Sequence, residues 1–284
     1  MNILKLAAFS HNGQGGNPAG VAFCNEMPSN EEMLKIAKDV GYSETAFLVK
    51  QADGWRVRYF APEMEVPFCG HATIALGAAL GERFGEGEYK LELNDSSITV
   101  RAEKTDDGFI ATLQSPATHS EDAPKEYVDK VLALFNLTDN DLNTEFPIRF
   151  VNGGAQHLIL VLKDRQTLAD MKYPFEEVKG LMAEQGLVTI SLLWNESDNL
   201  FHSRNPFASG GVYEDPATGA AAAALAGYLR DIGWQGKSEF IILQGEDMGV
   251  PSRLSVKYGP QVGESVSVSG ETRHIIQNEE KEGK

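Results

Sequence analysis

The sequence predicts an α+β protein of two similar halves, each a curled, mostly antiparallel sheet around one central helix. Three observations lead there. Two helical segments are apolar on every side. Short alternating strands flank both. The two segments also recur at a spacing close to half of the 284-residue chain.

The elements follow in order. Gly13-Gln14-Gly15-Gly16 lacks the spacing and the strand–helix setting of a nucleotide loop and reads as a turn. Asn30 to Val40 reads as a surface helix. Ser29 and Glu32 have the spacing of a capping box, Met33, Ile36, Ala37 and Val40 form an apolar stripe, and Gly41 suits the stop. The first buried segment runs from Cys69 through Gly70, His71, Ala72 and Thr73 to Leu80. The second begins Asp215-Pro216-Ala217-Thr218-Gly219 and continues through Ala220 to Leu229. A helix apolar all round must be buried, and its small residues let strands approach from every side.

Strands are expected on either side of both. Tyr89, Leu91 and Leu93 alternate with polar residues, Asn94 to Ser97 turns, and Ile98 to Arg101 returns. Phe240 to Leu243, Leu254 to Val256 and Val266 to Val268 repeat the pattern in the second half. Pairing Cys69 with Pro216 gives an offset of 147 residues and points to an internal duplication. The halves are expected over residues 1–117 and 118–284, joined by the Pro-bearing polar stretch from Ser115 to Lys125. The charged end, residues 279–284, is expected to be solvated.

Composition narrows the function. Hydrophobic residues at 42% and charged residues at 23% are ordinary for a soluble globular protein with a sizeable core. A formal net charge of -16 repels phosphate backbones and anionic lipid, so neither nucleic acid nor a membrane surface is expected as a partner. No apolar run reaches transmembrane length, and the N-terminus lacks the features of a signal peptide, so a cytoplasmic location is expected. Two cysteines, Cys24 and Cys69, make no disulfide scaffold. The six histidines show no metal-ligand spacing, and no metal site is expected. An anionic substrate would therefore need a local positive site. Helix starts leave backbone N–H groups without internal partners and carry the positive end of the helix dipole. Two buried starts facing one another across a cleft would hold a carboxylate without any basic side chain.

Those helix starts also carry a resemblance. Glu65-Val66-Pro67-Phe68-Cys69-Gly70-His71-Ala72-Thr73 and Glu214-Asp215-Pro216-Ala217-Thr218-Gly219 resemble two signatures of the PhzF family of phenazine biosynthesis. Gly16-Asn17-Pro18-Ala19-Gly20-Val21, Ser43-Glu44-Thr45-Ala46-Phe47, and Gln244-Gly245 with Met248-Gly249 and Pro251-Ser252 fit the same family in order. The resemblance implies a diaminopimelate-epimerase-like fold of two pseudo-symmetric halves, a homodimer, and a site in the cleft between the halves. It further implies that the last strand, after Gly270, returns to the first domain. The implied activity is an isomerase that needs no cofactor and shifts a proton on a small anionic substrate.

By the same resemblance Glu44 is the acid/base, His71 orients substrate or polarises its oxygen, and Asp215 assists. Ser43, Gly70, Ala72, Thr218, Gly219 and Ala220 are expected to line the substrate. Read on its own, Asp215 before Pro216 is also the N-cap and first-turn pair of a helix. A single carboxyl can carry a proton between two carbons when burial moves its titration toward working pH. Two positions depart from the family pattern. Ala220 stands where Ser is common, which removes one hydroxyl, and Val250 where Arg is frequent, so the resemblance does not carry the family's substrate over to this chain. Two other functions fit the fold. A racemase with two facing thiols would use Cys69 but would find Pro216 at the second position. A non-catalytic binding module would keep the cleft without the chemistry.

Overall fold

The computed structural model describes residues 2–94, 96–106 and 108–275. The chain divides into two compact units. Unit 1 comprises the chain up to Gln114 and again from Ser269; unit 2 runs Ser115–Val268. The expected solvated tail at 279–284 lies outside the described residues.

Unit 1 holds β1 (Ile3–Ser10), β2 (Asn17–Cys24), α1 (Asn30–Val40), β3 (Glu44–Gln51), β4 (Gly54–Phe60), the short β5 (Glu65–Val66), α2 (Gly70–Phe84), β6 (Gly87–Glu92), β7 (Ser97–Thr105) and β8 (Gly108–Gln114). β1 and β2 form a hairpin whose turn is closed by His11 and Gln14 exchanging backbone hydrogen bonds of 2.9 and 3.1 Å. β2 and β3 are parallel, joined through α1, and β3 with β4 is antiparallel. β4 and β6 are again parallel across α2, and β6, β7 and β8 form an antiparallel meander.

Helix α1 forms where its caps are. The Ser29 N–H donates to Glu32 Oε2 at 2.9 Å, the Glu32 N–H returns to Ser29 Oγ at 3.3 Å, and Gly41 ends the helix at φ 76°. Its Met33 and Ala37 pack on Ala22, Phe47 and Phe60 of the sheet. Helix α2 has no polar face, and every residue from Gly70 through Gly81 is buried. It packs against β1, β2, β3, β6, β7 and β8. Glycines permit that approach: a Cβ on Gly77 would stand 2.5 Å from Val100 Cγ2, closer than side-chain carbons come.

Unit 2 repeats this order. It holds β9 (His119–Asp122), α3 (Lys125–Leu134), β10 (Arg149–Asn152), β11 (Gln156–Leu162), α4 (Arg165–Ala169), α5 (Phe175–Glu184), β12 (Thr189–Ser197), β13 (Leu200–Pro206), β14 (Glu214–Asp215), α6 (Gly219–Asp231), β15 (Glu239–Gln244) and β16 (Ser252–Lys257). β11 and β12 are parallel, β12 and β13 antiparallel, β13 and β15 parallel across α6, and β15 and β16 antiparallel. The same succession of parallel and antiparallel pairs runs from β2 to β7, with a two-residue strand before the central helix in each unit. α6 is buried along Ala221 to Leu229 and packs on β9, β10, β11 and β16. Residues of α3 and α5, such as Val131, Val178 and Met182, share an outer core with Leu158, Leu160, Ile190 and Leu192.

Two details depart from the expectations. The polar stretch from Ser115 is not a plain linker: its residues His119–Asp122 form β9, paired antiparallel with β10. The two central helices begin at Gly70 and Gly219, so the station of Cys69 before α2 is matched by Thr218 before α6, not by Pro216. A final strand, β17 (Ser267–His274), pairs antiparallel with β1. The pairing slips between Ala8 and Ser10, where Phe9 bulges with φ 63°. Gly270 lies against that ring; a Cβ there would come 2.3 Å from Phe9 Cδ1. No helix among the described residues is long and apolar enough to cross a membrane.

Candidate functional site

Glu44 is the first residue of β3, and Ser43 precedes it in the bend that follows α1. Cys69 is the residue before α2, and His71 lies in that helix's first turn. The pairings β2–β3, β3–β4 and β4–β5 bring the start of β3 close to the start of α2. Four polar side chains thereby converge. Glu44 Oε2 stands 3.4 Å from His71 Nε2, and Ser43 Oγ is 3.3 Å from the same nitrogen. Cys69 Sγ lies 3.3 Å from His71 Nδ1 and 4.0 Å from Nε2.

This carboxyl is largely withdrawn from water. The Glu44 side chain is 12% exposed and that of His71 8%. Glu44 Oε2 is shut off from solvent and accepts no hydrogen bond of good geometry; its contact with His71 is an ion-pair distance only. A buried oxygen without a donor is costly, by about 1–3 kcal/mol for a polar group and more for a charged one. Such an atom is poised to take a hydrogen from a ligand.

Helix α2 adds the second ingredient. It starts without a side-chain cap, and its first turn contains no acidic residue. α1, by contrast, is capped by Ser29 and α4 by Asp164. Gly70 and Ala72 are buried at this uncapped start, where the backbone N–H groups and the dipole favour an anion. The Thr73 hydroxyl is not available to cap, because it donates to Cys69 O at 2.7 Å and meets Tyr59 Oη at 2.7 Å.

Within unit 2, α6 is built the same way. It too lacks a side-chain cap and first-turn acids. Asp215 is not the N-cap that the Asp-Pro pair suggested. The helix begins later, at Gly219, with Thr218 before it. Instead the Asp215 carboxylate accepts the Thr218 hydroxyl at 2.5 Å, and Gln244 at the end of β15 ties the segment down. Its amide donates to Asp215 O at 2.7 Å and to Thr218 Oγ1 at 3.0 Å, and its carbonyl oxygen accepts the Thr218 N–H at 3.2 Å. Gly245 lets the chain double back there: a Cβ would meet Val250 O at 2.4 Å and Pro216 O at 2.9 Å. Val250 thus contributes backbone to this corner. Ala220 is part-exposed in the first turn and offers no hydroxyl.

Of the expected residues, Ser43, Glu44, Gly70, His71 and Ala72 are brought together in unit 1. Asp215, Thr218, Gly219 and Ala220 are brought together in unit 2. Sequence reasoning did not place Gln244 on Asp215 and Thr218, because no local spacing signals an amide 26 residues away. It also did not anticipate that Glu44, Cys69 and His71 would hold their ligating atoms within 4.8 Å of one another.

The family model for phenazine biosynthesis-like proteins, PhzC-PhzF, matches residues 6–277. An uncharacterized isomerase of Bacillus subtilis, YfhB, is 29% identical over 264 residues, covering 90% of this chain and 89% of its own length. The crystal structure of a PhzF-family phenazine biosynthesis protein from Bacillus anthracis aligns with a TM-score of 0.84 at 24% identity, over 96% of each chain. A probable proline racemase from Agrobacterium radiobacter aligns at a TM-score of 0.65 and 11% identity, over 96% of this chain and 90% of its own. The last two likenesses concern the fold.

Proposed function

The chain belongs to the PhzC-PhzF family of phenazine biosynthesis-like proteins and is an isomerase, and from that premise we propose that it shifts a proton on a small carboxylate-bearing acid with Glu44 as the carrier. The observation that carries this reading is the buried, undonated Oε2 of Glu44 beside His71, at the uncapped start of a core helix.

The steps need only this chain's groups. The N–H groups at the start of α2 hold the substrate's anionic end. Glu44, ionised, removes a proton from carbon and becomes the neutral acid; the electron pair moves into the adjoining unsaturated system. The same carboxyl then gives the proton to the carbon at the far end of that system, which regenerates the carboxylate. The Cys69 thiol can donate to His71 Nδ1, which leaves the ring proton on Nε2, facing Glu44 and Ser43. A neutral imidazole at a helix start donates well to a developing oxyanion. The start of α6, with Thr218, Gly219 and Ala220, is a second anion-binding element within its own unit.

A thiol-pair racemase finds no support in the distribution of cysteines. Both cysteines, Cys24 and Cys69, belong to unit 1, so unit 2 can contribute no thiol. The test of the proposal is Glu44→Gln. It preserves shape and should keep ligand binding, seen as an unchanged thermal shift with small carboxylates. Turnover should fall about 100- to 10,000-fold, the range of a lost general acid–base. Undiminished turnover in that variant would refute the role of Glu44.

A further inference from the structure

We infer that Glu44, Cys69 and His71 form a binding site for a thiophilic divalent cation such as Zn²⁺, and that its occupancy switches the enzyme off. The binding itself stands on geometry; the switching rests on the proposed role of Glu44.

The three residues are a carboxylate, a thiol and an imidazole, and their ligating atoms all lie within 4.8 Å of one another. His71 Nε2 is 3.4 Å from Glu44 Oε2 and 4.0 Å from Cys69 Sγ. Zinc bonds of about 2.0–2.2 Å to nitrogen and oxygen and about 2.3 Å to sulfur imply ligand–ligand edges of about 3.3–3.6 Å in a tetrahedron. The nitrogen–oxygen edge already has that length. The sulfur must close in by about 0.5 Å on the nitrogen and by no more than about 1.5 Å on the oxygen, within reach of side-chain rotation.

An independent sign points the same way. Glu44 Oε2 is buried with no hydrogen-bond donor, so it loses nothing by turning to a cation. On binding, the Cys69 thiol passes its proton to His71 Nδ1 and joins as thiolate, while Nε2 releases its own proton to solvent and turns its lone pair to the ion. Thiolate and carboxylate together neutralise a divalent ion. The dipole at the start of α2 opposes a cation, but only weakly against two anionic ligands. Three protein ligands leave a fourth position for water, or for Ser43 Oγ, which is 3.3 Å from His71 Nε2. The mixed sulfur, nitrogen and oxygen set selects zinc or cobalt over magnesium and calcium, which take oxygen donors. An ion held there occupies the lone pair that Glu44 needs to move a proton.

Cobalt is the probe that reports sulfur ligation directly. The chelator-treated, full-length protein is titrated with Co²⁺ and followed by absorption. One equivalent should bind with a thiolate-to-cobalt charge-transfer band, and Zn²⁺ should abolish it by displacement. Cys69→Ala should lose the band and weaken Zn²⁺ at least tenfold, whereas Cys24→Ala should leave both unchanged. Absence of a band, or a band that survives Cys69→Ala, overturns the site. A parallel assay with Zn²⁺, reversed by chelator, measures loss of turnover. If the band appears and zinc leaves turnover intact, the site stands and the switching fails. If Glu44→Gln turns over normally, the reading of Glu44 fails while the cobalt result still judges the site.

Discussion

At Arg204 the guanidinium donates to Glu214 from both Nε and Nη2, with the Nε–Oε1 distance 3.0 Å, and Nη1 donates to Ala169 O at 2.8 Å. The two side chains are 10% and 3% exposed. Glu214 immediately precedes Asp215, so this pair anchors the approach to α6. Glu214→Ala leaves a buried cation unpaired and should lower unfolding stability by about 3–5 kcal/mol in denaturant melts. Replacing both members with apolar residues of similar volume, Arg204→Met with Glu214→Leu, should recover most of that loss. His157 gives a pH signature. It is fully buried, with Nδ1 2.8 Å from Thr189 Oγ1, and burial holds its titration down at about 3, against 6.5 when unfolded. Below 6.5 the unfolded chain gains a proton that the native chain refuses. The stabilisation from neutral His157 is therefore complete above pH 6.5 and is lost as pH falls toward 3. Over that window it should contribute a slope approaching about 1.4 kcal/mol per pH unit. His157→Gln should flatten this slope in pH-dependent unfolding; an unchanged slope would remove His157 from the account.

Among the elements, the two central helices are held by close packing and α1 by its cap, and the three should respond differently to substitution. Gly77→Val on α2 drives a branched side chain into Val100 and Ala111, which already lie 2.5 and 3.0 Å from an added Cβ. Overpacking of this kind costs about 1–3 kcal/mol, and thermal melts should show it. Ser29→Ala removes only the α1 capping box and should cost about 1 kcal/mol. These helices were legible because a run such as Gly70 to Gly81 has no polar stripe to turn outward. Their starts were less so. The Asp215-Pro216 pair has the chemistry of a cap, yet the Asp215 carboxylate is taken by Thr218 and the helix waits until Gly219. Tertiary contacts from Gln244 decide that, and no local pattern reports them.

Across the whole molecule, the repeated succession of strands was visible as alternation and spacing, whereas the composition of the site was not. Glu44 stands 25 residues before Cys69 and 27 before His71, and only strand pairing makes them neighbours. A family motif pointed to Glu44; its unpaired, water-shielded oxygen is a property of the folded chain alone. The central claim, that this oxygen carries the migrating proton, is tested most directly with a small unsaturated acid deuterated at the carbon that loses the proton. Incubated with it in ordinary water, the wild-type enzyme should deliver that deuterium to the product carbon that receives the proton. Glu44→Gln, still binding the acid, should deliver none above the uncatalysed rate. Equal deuterium transfer by Glu44→Gln and wild type would contradict the account.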